Sequence, residues 1–112
     1  MPNKNDNALH DIIFTISFHS SDIRAEIEKT PNKSDLILYA DDVKMNRYLF
    51  DLHVRDEVGE HQMHYATDGE EALEKMRTHQ FKLAVIDFNM PLKNGLQVVE
   101  EFNRFRKTRP DM

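Results

Sequence analysis

Two uninterrupted apolar runs, each followed at once by aspartate, constrain the fold of this chain more than any other feature. Leu36–Ala40 ends at Asp41 and Asp42, and Leu83–Ile86 ends at Asp87. A strand that is apolar at every position is typical of a sheet that is covered by helices on both faces. The two runs therefore predict a parallel α/β sheet.

The segments between and after these runs have the periodicity of helices and of one further strand. A helix is predicted from about Met45 to Val58, a short strand at Met63–Tyr65, a helix from Glu70 to His79, and a last helix that begins at Gly95. Alternating strands and helices imply right-handed crossovers, which bring the carboxyl ends of the strands to one edge of the sheet. The residues predicted to share one side of a helix are Met45, Leu49 and Leu52, then Ala72, Leu73 and Met76, and finally Leu96, Val99, Phe102 and Phe105.

Residues 1–34 are predicted to form an N-terminal segment and linker, separate from a domain at 35–112. Apolar and polar residues alternate in Ile12–Phe18, which predicts a half-buried strand. Ser21–Lys29 has the spacing of a short helix, and the polar residues that follow it are expected to end it.

Composition excludes several classes of function. The 112 residues suffice for one modest domain, and the net charge of −5 argues against non-specific binding to nucleic acid or to an anionic membrane. The chain has no cysteine, so disulfides and thiolate chemistry are excluded. No apolar stretch approaches the roughly 18 residues of a membrane helix. We expect a cytoplasmic protein without membrane contact.

The three aspartates are expected to converge if the two apolar strands are neighbours. Carboxylates held close together repel one another, and a hard divalent cation relieves that repulsion. Mg²⁺ prefers oxygen ligands and commonly takes one or two carboxylates together with a phosphate. The alternative is that each aspartate simply ends a strand as a turn-forming residue.

An ordered set of short segments extends over roughly 70 residues of the chain. The segments are Leu36–Asp42, Asn46-Arg47, Ala66–Leu73 and Val85–Pro91, with Gly95 eight positions beyond Asp87. In these segments the sequence resembles the receiver domain of two-component response regulators. The resemblance implies a flavodoxin-like parallel sheet, here truncated to about three βα units and preceded by an N-terminal strand.

The resemblance also implies roles for individual residues. Asp87 would accept a phosphoryl group from a phosphohistidine, with Mg²⁺ as the cofactor. Asp41, Asp42, Asp87 and the backbone carbonyl of Asn89 would be the metal ligands, with Asp42 favoured over Asp41 for direct contact. The implied partner is a histidine kinase or a histidine phosphotransfer domain, and no nucleic acid.

The extent of the resemblance raises two further expectations. The spacing from Asp41 to Arg47 is similar to that in receivers of hybrid sensor histidine kinases, so residues 1–34 could be the end of a kinase ATP-binding domain. The family has five strand-helix units. Its hydroxyl residue after the fourth strand and its lysine after the fifth have no counterpart here. Lys82 and Lys93 lie at the wrong positions in the sequence to take the role of that lysine. The third strand would then be an open edge that forms a homodimer, recruits Ile12–Phe18 or aggregates.

Two alternatives to a working phosphoacceptor follow from the same residues. One is a degenerate protein-interaction module that keeps the fold but no longer switches. The other is a Mg²⁺-dependent phosphohydrolase with Asp87 as nucleophile, which is disfavoured because Asn89 stands where such enzymes place an acid/base aspartate. All six histidines, including His61 and His64, are interpreted as solvated or partly packed side chains.

Overall fold

The computed structural model of the chain describes residues 13–15, 23–29 and 34–108. Four strands and four helices lie within these ranges. The strands are β1 (Ile13–Thr15), β2 (Leu36–Ala40), β3 (Gln62–Ala66) and β4 (Leu83–Ile86), and the helices are α1 (Ile23–Lys29), α2 (Lys44–Val58), α3 (Gly69–Thr78) and α4 (Gly95–Thr108).

The four strands form one parallel sheet in the order β1-β4-β2-β3. This confirms the α/β fold that the apolar runs predicted. Strands β2 and β4 are both central, with Leu38 paired to Ala84 and Ala40 paired to Ile86. The two fully apolar strands therefore lie side by side in the middle of the sheet, where burial on both faces requires apolar residues at every position.

Strand β1 runs along the free side of β4, with Phe14 paired to Ala84. Of the three outcomes predicted for an open β4 edge, recruitment of the N-terminal strand is the one that the structure has. The predicted strand was longer, and Ile12 and residues 16–18 lie outside the described residues. Because β1 pairs in parallel, it continues the sheet beyond β4 with the same polarity as the other strands.

Helices cover both faces of the sheet. Helices α3 and α4 bury Leu73, Met76 and Phe102 against one face. On the other face, α2 contributes Phe50 and Val54, and α1 contributes Ile27. The inward residues that were predicted for the helix at 70–79 are therefore confirmed.

Helical spacing did not identify the buried sides of α2 and α4 completely. The side of α2 that carries Met45, Leu49 and Leu52 is exposed, and the buried side carries Phe50 and Val54. In α4, Leu96 is exposed, whereas Phe102 is buried and Phe105 packs against the core as predicted. The cause in α2 is that apolar residues lie on both sides of the helix, so helical spacing alone does not identify the side that packs on the sheet.

The described helices include none with the length and apolar character needed to cross a membrane.

Candidate functional site

The predicted acidic residues meet at the carboxyl edge of the sheet. Asp41 follows β2 and Asp87 follows β4, and the backbone N–H of Asp87 donates to the carbonyl of Ala40 at 2.8 Å. Since β2 and β4 are neighbours, the segments that follow these two strands leave the sheet side by side. Asp41, Asp42 and Asp87 each offer a carboxylate oxygen, and these oxygens all lie within 4.8 Å of one another.

Asp41 is the buried and anchored member of the group, with 3% of its surface exposed. Its Oδ1 accepts from the backbone N–H of Val43 at 2.9 Å. Its Oδ2 accepts from the hydroxyl of Tyr39 at 3.1 Å and from the amide of Asn46 at 3.0 Å. A buried carboxylate needs such donors, because without them its desolvation would be very costly.

Arg47, the residue after Asn46 in the first turn of α2, completes this arrangement. Its guanidinium donates to the backbone carbonyl of Asp41 at 2.8 Å. The pair Asn46-Arg47, which the sequence singled out by its spacing, therefore holds the side chain and the backbone of one aspartate. These contacts give neither Asn46 nor Arg47 a catalytic role of its own.

Asp42 and Asp87 are the more accessible members of the group. Asp42 is exposed and Asp87 is half-buried. Burial raises the pKa of Asp87 above its ordinary value, and the nearby carboxylates of Asp41 and Asp42 raise it further. Hydrogen bonds from the backbone N–H groups of Asn89 and Phe88 act in the opposite direction on this pKa. Repulsion among the three carboxylates therefore adds to the effect of burial on this pKa.

These features fit a Mg²⁺ ion. Three carboxylates offer hard oxygen ligands, and the repulsion that raises the pKa of Asp87 is the repulsion that a dication would relieve. Mg²⁺ keeps several of its waters and needs only a few protein oxygens, so an exposed Asp42 is no obstacle.

The loop after β4 folds tightly against the acidic group. The backbone N–H of Gly95 donates to the carbonyl of Phe88 at 2.9 Å. A Cβ on Gly95 would lie 2.8 Å from the carbonyl oxygen of Asp87, which is too close for any side chain. The spacing of Gly95 from Asp87 therefore has a steric cause. Asn89 faces Asp87 with its backbone N–H, and its carbonyl stays a predicted ligand.

Comparison with known protein families matches residues 37–111 to the response regulator receiver domain. The match covers well over half of the 112 residues. This chain belongs to the receiver-domain family. A search of curated proteins found no match. Receiver domains act in two-component signalling, generally bind Mg²⁺ at an acidic pocket, and interact with histidine kinases or phosphotransfer proteins.

Lys93 and Lys82, which the sequence analysis placed outside the family pattern, have different surroundings in this receiver. The ammonium of Lys93 is 2.8 Å from a carboxylate oxygen of Glu101 and 3.3 Å from one of Glu70. These contacts raise its pKa. Lys82 precedes β4 and therefore lies at the amino edge of the sheet, opposite the acidic group. Lys93 therefore links α3 and α4 through its ion pairs with one glutamate on each helix.

Sequence reasoning missed an apolar surface beside the acidic group. We call it the α2 stripe; it consists of Met45, Tyr48, Leu49 and Leu52, all of which are exposed. Their spacing places them on one side of α2, away from Phe50 and Val54. The stripe begins three residues after Asp42. Part of the signal was present in the sequence, since Met45, Leu49 and Leu52 were predicted to share a side of the helix, but helical spacing alone does not show whether that side is exposed.

Proposed function

We propose that this receiver takes a phosphoryl group from a phosphohistidine onto Asp87, with Mg²⁺ held by Asp41, Asp42, Asp87 and the backbone carbonyl of Asn89. The observation that carries the proposal is the convergence of three carboxylates at the ends of neighbouring parallel strands. Asp87 is the member suited to accept the group, because it is more accessible than Asp41 and, among the described residues, no side chain donates to it as Tyr39 and Asn46 donate to Asp41.

The proposed reaction is an in-line displacement at phosphorus. A carboxylate oxygen of Asp87 forms a bond to phosphorus as the bond from phosphorus to the histidine nitrogen breaks. The nitrogen keeps the electron pair and the imidazole is released neutral or protonated, while Asp87 becomes an acyl phosphate. Bound Mg²⁺ would supply positive charge to the phosphoryl oxygens.

The three carboxylates have different proposed roles in the site. Asp41 is fixed by three donors, so it serves as a rigid anchor for the site. Asp42 is exposed and can reorient toward the ion, which favours it for direct metal contact. The raised pKa of Asp87 marks an ionised carboxylate destabilised by burial and by its neighbours, and bound Mg²⁺ would favour the ionised form that attacks.

The proposed donor is a histidine kinase or a histidine phosphotransfer domain in the cytoplasm. A phosphohistidine must come within bonding distance of Asp87, so the donor has to seat against the surface around it. The α2 stripe provides apolar contact area there, and its exposure favours a protein partner over solvent. We further propose that residues 35–112 form the receiver unit and that residues 1–34 belong to a preceding segment of a hybrid kinase.

Phosphorylation with a small phosphodonor tests the assignment directly. The full chain is incubated with an acyl phosphate or phosphoramidate and Mg²⁺, and intact mass is measured for the wild type, Asp87→Asn and Asp56→Asn. Asp56 is an exposed aspartate on α2 outside the acidic group, so its variant is the matched control. We expect one added phosphoryl group in the wild type and in Asp56→Asn and none in Asp87→Asn.

The other outcomes separate the alternatives. Equal labelling of wild type and Asp87→Asn would exclude Asp87 as the acceptor. Mg²⁺ binding without any labelling would favour a degenerate interaction module that keeps the pocket. Turnover of a phosphate ester would favour a phosphohydrolase, although Asn89 cannot act as the acid/base residue that such an enzyme needs.

A further inference from the structure

A pair of histidines lies on the helix α3 side of strand β3, away from the acidic group. His64 is in the middle of β3, and His79 directly follows the last residue of α3. Their ring centroids are 4.8 Å apart, and both rings contact the ring of Phe81, which is buried. Helix α3 starts at the carboxyl edge of the sheet and ends toward the amino edge, so this pair is remote from Asp87.

One tautomer of His79 suits its hydrogen-bond partners best. The hydroxyl of Thr78 lies 3.0 Å from the carbonyl of Glu74 and 3.3 Å from that of Lys75, so its one proton can be donated to the backbone. Nδ1 of His79 lies 2.9 Å from that hydroxyl oxygen and 3.2 Å from the carbonyl of Lys75. Because the carbonyl can only accept, a proton on Nδ1 satisfies both contacts and leaves the lone pair on Nε2.

This is the arrangement of a metal-binding histidine. Such residues usually donate one ring N–H to a carbonyl or another acceptor, which orients the ring and leaves the other nitrogen for the metal. His79 is exposed, so an ion can reach it. Its carbonyl partner on Lys75 belongs to the last turn of α3 and is held by the helix.

His64 offers the second imidazole, from the middle of strand β3. Neutral imidazole is the form that binds metals. Among the described residues, no hydrogen bond to the ring nitrogens of His64 is seen, and its contacts are with the rings of His79 and Phe81.

We propose that His64 and His79 form a two-imidazole site for a divalent transition-metal ion of the Zn²⁺, Ni²⁺ and Cu²⁺ class. Imidazole suits these ions, whereas Mg²⁺ requires oxygen ligands, so the acidic group and this pair select different metals. Metal–nitrogen bonds of about 2.0–2.1 Å at near-tetrahedral angles put two imidazole centroids about 5 Å apart, which the observed spacing matches. Water fills the other positions.

A bound ion would join the edge strand to the end of a helix. β3 is the outer strand on its side of the sheet, and α3 packs beside it. A metal that bridges His64 and His79 would tie these two elements together and stabilise this part of the fold. The charge of Lys75 opposes the ion, which limits the affinity of the site.

The test measures Zn²⁺ binding to the full chain by calorimetry with excess Mg²⁺ present, so that the acidic group is occupied. The variants are His64→Phe, which keeps a ring against Phe81, and His79→Gln. The matched control is His61→Gln, which removes a histidine three positions from His64 whose ring contacts the Gly59 carbonyl instead. Circular dichroism verifies that each variant is folded.

We expect saturable binding of one Zn²⁺ by the wild type and by His61→Gln. Loss of an orienting partner alone typically weakens a metal site by about 10–100-fold, so each ligand variant should weaken binding by at least about tenfold. Imidazole nitrogen NMR should show protonated Nδ1 in His79 and a Zn²⁺-dependent shift of its Nε2. Absence of saturable binding, or affinity unchanged in both ligand variants, would overturn the proposal.

Discussion

The hydroxyl of Tyr39 donates a hydrogen bond to Oδ2 of Asp41, 3.1 Å away. This bond lies at the carboxyl edge of the sheet, where the acidic group is. Both residues are buried. The interaction joins strand β2 to the turn that follows it, and the stacked ring of Phe50 holds the phenol from the α2 side. Burial and the charge of Asp41 raise the pKa of Tyr39, so the phenol stays a donor at every physiological pH.

Replacing Tyr39 by phenylalanine should destabilise the fold. The variant keeps the ring against Phe50 but removes one of three donors to a buried carboxylate. Hydrogen bonds to charged groups contribute about 1.5–3 kcal/mol, so we expect the free energy of unfolding to fall by about that amount in urea titrations. Tyr48→Phe, at an exposed position, should change it by less than about 0.5 kcal/mol. Equal stability of Tyr39→Phe and wild type would show that the hydroxyl is dispensable.

Mg²⁺ should stabilise the folded chain through the three aspartates. A ligand at about 100 times its Kd that binds only the folded state adds about 2.7 kcal/mol to the free energy of unfolding. We expect a Mg²⁺-dependent rise of Tm in the wild type and a much smaller one in Asp42→Asn. Because Asp42 is exposed, its variant should unfold like the wild type without Mg²⁺ or at a slightly higher temperature. An identical Mg²⁺ response of both chains would remove Asp42 from the ligand set.

The raised pKa of Asp87 sets the sign of a pH dependence. Between the ordinary value of 3.8 and the raised value, the folded chain binds more protons than the unfolded chain. Stability contributed by this residue therefore decreases as pH rises through that window and stays low above it. Without Mg²⁺, we expect Asp87→Asn to be more stable than the wild type at neutral pH and to lose this advantage in acid.

Thermal unfolding across pH checks this expectation. Asp56→Asn serves as the control, because Asp56 is exposed and lies outside the acidic group. Its stability curve should follow that of the wild type. A neutral-pH destabilisation by Asp87→Asn would mean that the ionised carboxylate makes favourable contacts that outweigh the repulsion from Asp41 and Asp42.

The sequence predicted the strands and the acidic edge because the signals for both are local. A fully apolar run that stops at aspartate specifies a buried strand and the residue at its carboxyl end in one short segment. Parallel packing then brings Asp41 and Asp87 together without any further information. The same reasoning predicted β3 and both ends of α3 within one or two residues.

The sequence did not determine which side of α2 is buried. The stripe at Met45, Tyr48 and Leu49 and the pair Phe50 and Val54 both have helical spacing, and only the position of the sheet selects between them. Pairing of β1 with β4 was one of three options for the same reason. It depends on contacts between residues about 70 positions apart, which local periodicity does not specify.

The start of α3 lies too close to the loop after β4 for any side chain at Gly69. A Cβ there would be 2.5 Å from Cβ of Lys93 and would also overlap the carbonyl oxygen of that residue. The backbone N–H of Gly69 donates to the carbonyl of Pro91 at 3.2 Å, so the contact cannot open without losing this bond. The glycine therefore sets the distance between the helix and the loop.

We expect Gly69→Ala to lower the free energy of unfolding by about 1–3 kcal/mol, although alanine is the better helix former. Urea titration measures the loss. Glu74→Ala, at an exposed position of the same helix, should change stability by less than about 0.5 kcal/mol. If Gly69→Ala were as stable as the wild type, the loop would have to move away at little cost.

The β1 strand should keep β4 from pairing with other chains. Adjacent residues of a strand point their N–H groups in opposite directions, so Phe14→Pro with Thr15→Pro removes whichever donor faces β4. The uncovered edge is apolar throughout Leu83–Ile86. We expect concentration-dependent association of the double proline variant in sedimentation. The matched double alanine variant loses the same side chains but keeps both N–H groups, and it should sediment like the wild type. A monomeric proline variant would show that β4 needs no cover.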